Sequence, residues 1–466
     1  MGTHLLRWAI GIVVVACGGI LFLGGTDVSA AAGEWSAGFA AVKITPQKPV
    51  PLAGYAARIK PFTWVDQDIE AKALALKDAD GSRAVLVTVD LCILPRDVGE
   101  RVRKRIAEEG HLDPAAVLLN VAHSHSAPAV ALAPSTQPDE VNRSEAGTIE
   151  YTRWLIDRMV DVAAQALAQM EPATLSWSTG VANFVMNRRE YTDKGVILGV
   201  NPRGPVDRSV PVLRVDGPDG KPRVILFGYA CHNTTMPANR LAVSGDYEGY
   251  AKAYVQQHTP GAAAMFMTGC AGDANPYPRT GVELAQLHGQ ELGTEVCRVL
   301  STKLHPIHGP LKCAMVEAQL PLRTPDEQAL RNDASGPNGL QKDSARQMLS
   351  IIESGGKLPA VYQPPVEAWQ FGKDLTLVAL PDEVVVDYVR RIEEAIGPMR
   401  LWVAGYCQEV TGYIPSDRIL REGGYETRGI YSGTGWFAPG VEDALVNAAR
   451  DAAVKAGREL GRTTQR

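Results

Sequence analysis

The sequence predicts a single large α/β domain in which mixed β-sheets are flanked by helices. Short apolar runs, typical of buried strands, alternate with longer segments of helical periodicity. The 45 glycines and 31 prolines indicate a turn-rich chain rather than a helical bundle. By length alone, 466 residues allow about three domains, and a chain of this size can bury its core without disulfides.

Charge and cysteine content narrow the function classes. The net charge is −5 and the chain contains no basic run, so nucleic-acid binding lacks the positive surface that it requires. None of the seven cysteines forms a CxxC pair, and most lie in apolar runs. We expect them to be small buried hydrophobic residues, although their spacing does not decide whether any of them is bridged.

The N-terminal segment resembles an export signal. Arg7 precedes an apolar stretch at 8–25, and small residues follow at 28–32. This order is typical of a signal peptide with its cleavage site, so we assign residues 1–31 to a signal peptide or a retained N-terminal anchor. The sequence before Cys17 also fits a lipoprotein signal. Each alternative predicts that the remaining chain is exported.

Strand patterns are short apolar runs bounded by turn-forming residues. The Asp- and Gly-rich segments 78–81 and 216–220 are typical of turns between such runs. These patterns predict strands at 40–44, 71–77, 85–89, 117–122, 173–185, 210–216, 224–230 and 263–267.

Helical patterns alternate with these strands. Apolar residues recur there with the period of an amphipathic helix, which predicts helices at 97–109, 148–170, 282–301 and 383–396. The alternation predicts one domain over 32–466, built on a large mixed sheet system. Within it, 324–359 is polar and contains the turn-forming run 336–339, so we expect a mobile insertion there.

Polar residues follow the ends of several predicted strands, where a rigid scaffold exposes functional groups. His123 and His125 follow one predicted strand, and His232 follows another. Glu383 follows a further apolar run. Residues two apart in an extended chain face the same side, so one of His123 and His125 can bind a metal while the other transfers protons. Two histidines and a carboxylate are a ligand set of catalytic zinc.

Structural roles for these histidines remain an alternative, because a lone histidine or HxH pair is often a satisfied core residue. Three of the nine histidines nevertheless follow apolar strands, which favours a shared site. We expect the other six to be structural or solvated: His4, His111, His258, His288, His305 and His308.

Seven short motifs occur in order over about residues 37–440. They are AGFAAVKITP with LAGY at 37–55, HSHSAP at 123–128, NR at 187–188, SGDYEGY at 244–250, GDANP at 272–276, PDE at 381–383, and two tyrosines twelve residues apart, Tyr413 and Tyr425. Together they resemble the catalytic domain of neutral (alkaline, non-lysosomal) ceramidases, which are secreted zinc amidases that cleave N-acylsphingosines.

The resemblance implies a site and a reaction. It implies zinc bound by His123, His232, Glu383 and Tyr413. The reaction would be hydrolysis of a lipid amide by zinc-activated water, with association at a membrane surface. The remaining implied site residues are His125 as acid/base, Arg188 and Tyr425 at the amide or headgroup, and Asp273 and Asn275 in the GDANP motif.

Two departures from the family leave the substrate open. Asn275 stands where the family carries serine, and the chain ends at Arg466, so we expect no C-terminal immunoglobulin-like domain. One alternative is a zinc hydrolase on the same scaffold with a non-lipid amide or ester substrate. Another is a catalytically impaired binding protein.

Overall fold

The computed structural model describes residues 34–55, 58, 60–134, 146–323, 325–336, 339–427, 429 and 435–460. The predicted signal or anchor segment, 1–31, lies outside these described residues. None of the helices in the described ranges has both the length and the apolar character of a membrane span.

The described residues form alternating strands and helices. The strands are β1 (Trp35–Lys43), β2 (Trp64–Val65), β3 (Glu70–Asp78), β4 (Arg83–Val89), β5 (Val117–Val121), β6 (Glu171–Val181), β7 (Val185–Thr192), β8 (Gly195–Asn201), β9 (Ser209–Asp216), β10 (Pro222–Tyr229), β11 (Ala242–Val243), β12 (Ala263–Thr268), β13 (Ala274–Pro276), β14 (His305–Ile307), β15 (Leu311–Glu317), β16 (Leu320–Arg323), β17 (Val361–Tyr362), β18 (Pro365–Phe371), β19 (Leu375–Ala379), β20 (Glu383–Val384), β21 (Leu401–Ala404), β22 (Tyr413–Ile414) and β23 (Trp436–Phe437). The helices are α1 (Arg96–Gly110), α2 (Ala146–Ala168), α3 (Asp246–His258), α4 (Val282–Leu300), α5 (Glu327–Ser335), α6 (Gly339–Glu353), α7 (Asp387–Ile396), α8 (Asp417–Glu422) and α9 (Val441–Lys455).

Two sheets pack face to face between layers of helices. The larger has the strand order β12-β10-β9-β6-β1-β3-β4-β5, with β14 beside β6, and the smaller has the order β15-β18-β19-β21. Strand β3 shows how the sequence directs this packing. Leu74 and Leu76 belong to the core between the two sheets, whereas Ala73 and Ala75 belong to the core beneath the helices. Both faces of the strand are therefore apolar, which confirms the mixed α/β fold with several sheets.

Three parallel strand pairs direct the chain toward the candidate site. They are β4 with β5, β10 with β12, and β19 with β21, and they are joined through α1, α3 and α7 respectively. A crossover of this kind brings the carboxyl ends of both strands to the same edge of the sheet. His123 and His232 lie in the loops after β5 and β10, and Glu383 lies on the short strand β20 that follows β19.

Asn120 joins the two edges of the larger sheet. Its side-chain oxygen accepts a hydrogen bond from the Thr268 N–H at 3.0 Å, and its amide nitrogen donates to the Gly405 carbonyl at 2.8 Å. Asn120 lies on β5 and Thr268 on β12, which are opposite ends of the strand order. The buried amide thus links the ends of β5 and β12 with the loop after β21.

Two sequence predictions need correction. The strand predicted at 173–185 is interrupted at 182–184 and becomes β6 and β7, which belong to different sheets. The helix predicted at 383–396 begins only at Asp387, because Glu383 pairs with Tyr413 in the short parallel pair β20–β22. In 324–359, the described residues form α5 and α6, and the mobility of this region stays a prediction.

Candidate active site

The side chains of His123, His232 and Glu383 converge in the interior. The Nε2 atoms of both histidines lie 3.1 Å from the same glutamate oxygen, Oε2. All three side chains are about 1% exposed. Two imidazole nitrogens and a carboxylate oxygen within this distance could ligate one metal ion.

The outer nitrogens of the two histidines contact backbone carbonyls. His123 Nδ1 lies 2.6 Å from the carbonyl oxygen of Cys92, and His232 Nδ1 lies 2.8 Å from that of Ala271. A carbonyl only accepts, so each Nδ1 carries a proton and each Nε2 is the nitrogen that faces Glu383. This is the arrangement that orients metal-ligating histidines in proteins, and the donor set therefore fits a zinc ion.

Strained backbone places these side chains. His123, Asp382 and Tyr406 have φ values of 62°, 61° and 55°, in the left-handed region that bulky residues rarely adopt. Each such conformation costs about 1–3 kcal/mol and persists where the surrounding structure determines it. The strain lies in the segments that carry His123 and Glu383, as is common at functional sites.

The charges of the cluster favour a bound cation. Burial lowers the pKa of His123, but the charge of Glu383 and the Cys92 side chain outweigh it and raise the value to about 10. Burial, Arg188 and His123 lower the pKa of His232 to about 3. Burial raises the pKa of Glu383, yet the two histidines bring it well below its ordinary value. The carboxylate thus stays ionised and attracts a positive charge, either a proton or a metal ion.

Tyr413 lies beside the cluster. Its hydroxyl is 3.4 Å from His232 Nε2, and the two rings are stacked with an interplanar angle of 10°. Burial raises the pKa of the phenol well above its ordinary value, while the charge of Arg188 lowers it. Phenolate character therefore requires a further cation nearby, which a metal ion at the cluster would supply.

His125 is held as a neutral imidazole. Burial and the nearby His123 and His232 bring its pKa well below the ordinary value. Its Nε2 lies 3.1 Å from His123 Nε2. The buried Nδ1 has no hydrogen-bond partner among the described residues, and Gly54 comes so close that a Cβ there would lie 2.4 Å from it. A neutral imidazole offers a nitrogen lone pair as a hydrogen-bond acceptor, while the lowered pKa opposes its protonation.

Arg188 extends the cluster toward Tyr425. The Nη1 atom of Arg188 lies 3.0 Å from His232 Nε2, and its Nε donates to Glu426 at 2.9 Å. The guanidinium lies over the rings of Tyr413 and Tyr425, 5.3 and 5.5 Å from their centroids. The side chain is thus positioned to donate hydrogen bonds within the site.

A cavity of about 500 Å³ opens beside Tyr425. The half-buried Tyr425 lies between this cavity and the rings of the cluster, with its own ring 5.4 Å from that of Tyr413. Tyr425 therefore joins the cavity wall to the aromatic side chains around the cluster. Its described lining residues are Val196, Ile197, Leu198, Arg323, Gly424, Tyr425, Thr427 and Trp436.

Asp273 and Asn275 hold neighbouring elements. The carboxylate of Asp273 accepts from the Asn187 side chain and from the Val386 N–H, both at 2.9 Å. Asn275 lies on β13, and its side-chain oxygen accepts from the Thr234 hydroxyl at 3.2 Å. These contacts favour positioning roles, and the predicted catalytic roles of both residues stay predictions.

Several residues of the site escaped the sequence analysis. Cys92 contacts His123 through its carbonyl, Glu426 holds Arg188, and Tyr406 lies against His123. Cys92 follows β4 and Tyr406 follows β21, so the position after a strand end was the available signal. Glu426 follows a predicted site tyrosine, but the sequence carries no sign of its contact with residue 188.

The mixed α/β fold thus brings two buried histidines and a glutamate beyond its strand ends together as a possible metal-ligand set. The family model for neutral/alkaline non-lysosomal ceramidase, N-terminal, matches residues 35–311, which is more than half of the chain. The protein belongs to this family. Glu383, Tyr413 and Tyr425 lie beyond the matched residues.

Known proteins with similar sequences and structures include several neutral ceramidases. Neutral ceramidases B and A from Dictyostelium discoideum are 27% and 25% identical over 49% and 43% of this chain, and the matches span 34% and 28%, about a third, of their length. A structure described as ceramidase complexed with C2 covers 92% of this chain and 76% of its own, with TM-score 0.71 and 18% identity. Neutral ceramidase from Pseudomonas aeruginosa covers 91% and 75%, with TM-score 0.69 and 18% identity. The two structures show the same fold.

Proposed function

We propose that the protein is an exported zinc-dependent amidohydrolase that cleaves the amide bond of N-acylsphingosine or a related N-acyl compound. The observation that carries this proposal is the convergence of His123 Nε2 and His232 Nε2 on one oxygen of Glu383, at 3.1 Å each. Membership of the ceramidase family supports the hydrolysis of an amide.

The residues present fit a zinc site. His123, His232 and Glu383 would hold the ion, with Tyr413 as the fourth ligand. When bound, zinc acts as a Lewis acid and lowers the pKa of a coordinated water to about 7. The protein orients the two imidazoles through the carbonyls of Cys92 and Ala271.

The surrounding side chains have separate tasks. His125, a buried neutral imidazole, accepts a proton and returns it to the leaving amine. Arg188 and Tyr425 donate hydrogen bonds to the amide oxygen as it gains negative charge. Preorganised donors of this kind contribute about 3–4 kcal/mol each to catalysis, and Glu426 keeps Arg188 in place.

The cavity beside Tyr425 has a mixed wall in which polar surface exceeds apolar surface, and a lipid would contact its apolar part. Val196, Ile197, Leu198 and Trp436 supply apolar surface there. Ile197 and Leu198 are 47% and 49% exposed on β8, which supports association of this edge with a membrane surface. The structure of a similar protein is described as a ceramidase complexed with C2, and we propose a lipid amide for this chain as well.

Export rests on the N-terminal sequence. Residues 1–31 combine a charged start, an apolar stretch and small residues. We propose that they direct the protein to the periplasm, the cell surface or the medium.

A second candidate is a hydrolase with a polar amide or ester substrate. Arg323 lies over Trp436 in the wall of the cavity, 4.9 Å from its centroid. An exposed guanidinium there favours a substrate that carries a negative charge. The two candidates differ in whether the protein hydrolyses a fluorescent ceramide or a fluorescent N-acyl amino acid.

Metal analysis of the purified protein tests the proposal. We expect one zinc ion per chain, and we expect H123A and H232A to lose it together with the hydrolysis of fluorescent ceramide. H308A is the matched control, because His308 is exposed and bonded to Asp374. Unchanged zinc content in H123A and H232A would show that the metal site is wrong. If the two variants lose zinc but the wild type does not hydrolyse fluorescent ceramide, the result would favour the polar substrate.

A further inference from the structure

Tyr406 occupies a position that the proposed reaction does not yet use. It lies in the loop after β21 and is fully buried. Its φ of 55° is one that a bulky side chain rarely adopts. A conformation of this kind persists where the surrounding contacts determine it.

The backbone of Tyr406 connects the two segments that lead to the candidate ligands. Its N–H donates to the carbonyl of Asp382 at 3.0 Å, and its carbonyl accepts from the Val121 N–H at 3.0 Å. Asp382 directly precedes Glu383, and Val121 lies two residues before His123. Tyr406 thus fixes the distance between the two segments.

The side chain of Tyr406 contacts both candidate ligands. Its ring centroid lies 4.6 Å from that of His123. Its hydroxyl lies 3.5 Å from Glu383 Oε2, the oxygen that faces both histidines. A buried phenol hydroxyl needs an acceptor, and the ionised carboxylate of Glu383 is one within reach.

We infer that Tyr406 is a positioning residue for the metal centre. Its ring supports the imidazole of His123, and its hydroxyl donates to Glu383 and fixes the direction in which the carboxylate faces the ion. The inference rests on the proposed zinc site and adds to it a residue outside the ligand set. Partners of this kind orient ligands, and their removal weakens metal binding about 10–100-fold.

The variant Y406F tests the hydroxyl while keeping the ring and the backbone contacts. We expect its affinity for Zn²⁺, measured by chelator competition, to fall at least about 10-fold. We also expect a changed visible absorption spectrum of the Co²⁺-substituted protein, because that spectrum reports the ligand geometry. The free energy of unfolding of metal-free Y406F should stay close to that of metal-free Y151F. That control also loses one buried tyrosine hydroxyl, which donates to the carbonyl of Ile44 at 2.8 Å.

Each other outcome is decisive. Equal zinc affinity and an equal Co²⁺ spectrum in Y406F and the wild type would overturn the inference. Loss of the fold in metal-free Y406F would also overturn it, because the hydroxyl would then serve the fold rather than the ligand. A wild type that binds no zinc would instead refute the proposed function itself.

Discussion

Replacement of Glu426 by glutamine tests how the protein holds Arg188, the arginine that we propose contacts the substrate amide. The carboxylate of Glu426 is 1% exposed and accepts from Arg188 Nε at 2.9 Å and from Arg189 Nη1 at 2.5 Å. Both guanidiniums are buried as well. E426Q keeps the size of the side chain and removes the one charge that both arginines share.

The expected cost follows from these contacts. Loss of one partner from a buried ion pair costs about 3–5 kcal/mol, because the other charge stays buried without compensation. Arg189 keeps a second carboxylate, since its Nη2 donates to Glu422 at 3.1 Å. Arg188 retains a contact with the neutral His232. We therefore expect E426Q to lower the free energy of unfolding by about 3 kcal/mol, the lower end of that range. The total for a domain is about 5–15 kcal/mol.

Urea unfolding and hydrolysis of the best substrate measure the two effects. Besides the loss of stability, we expect turnover to fall about 100-fold, since small displacements of a positioned group have effects of that size. E422Q is the matched control: Glu422 is half-buried, 22% exposed, and pairs with Arg189 and Arg418. Because Arg189 keeps Glu426 in this variant, we expect E422Q to lose less stability than E426Q and to keep its turnover. Equal stability losses in the two variants, or full activity in E426Q, would refute the reasoning.

Three further predictions concern the loops around the cluster. N275S restores the family's serine, and we expect it to keep zinc and raise the turnover of fluorescent ceramide. No gain over a ceramide-active wild type would show that the serine is dispensable. Burial raises the pKa of Asp273 from 3.8 to about 6, so its protonated form is favoured in the folded state. This group therefore lowers the free energy of unfolding as pH rises from 4 to 6. Across that range, urea titrations of D273N should show a stability that falls less with pH than that of the wild type. G54A places a methyl group 2.4 Å from His125 Nδ1, and we expect at least about 10-fold lower turnover with zinc retained. G261A has a similar φ, 88°, but open space around it, and its turnover should match the wild type.

Much of the fold was predictable because its strands are apolar on both faces. Leu74 and Ala75 point to opposite layers, yet both are buried, so the strand appears in the sequence as a continuous apolar run. The predicted boundaries of strands and helices were wrong where pairing with a distant segment decided them. Glu383 continues a helical pattern, but its backbone pairs with Tyr413 in a strand.

The site residues divide in the same way. His123 and His232 were predictable because each follows a buried strand, where side chains reach a common edge. Glu426 was not, since its contact with Arg188 joins segments separated by 238 residues. Such contacts depend on loop paths, and the local pattern of a sequence contains no information about those paths.

The sequence by itself determined the alternation of strands and helices, the family, and the histidines that could bind a metal. These depend on local periodicity and on residue type, which each segment carries independently. The tertiary structure alone decided that His123, His232 and Glu383 share one point in space, because Asn120 and Tyr406 join segments that are distant in the chain. It also decided which nitrogen of each histidine faces that point, since the carbonyls of Cys92 and Ala271 fix the position of each proton.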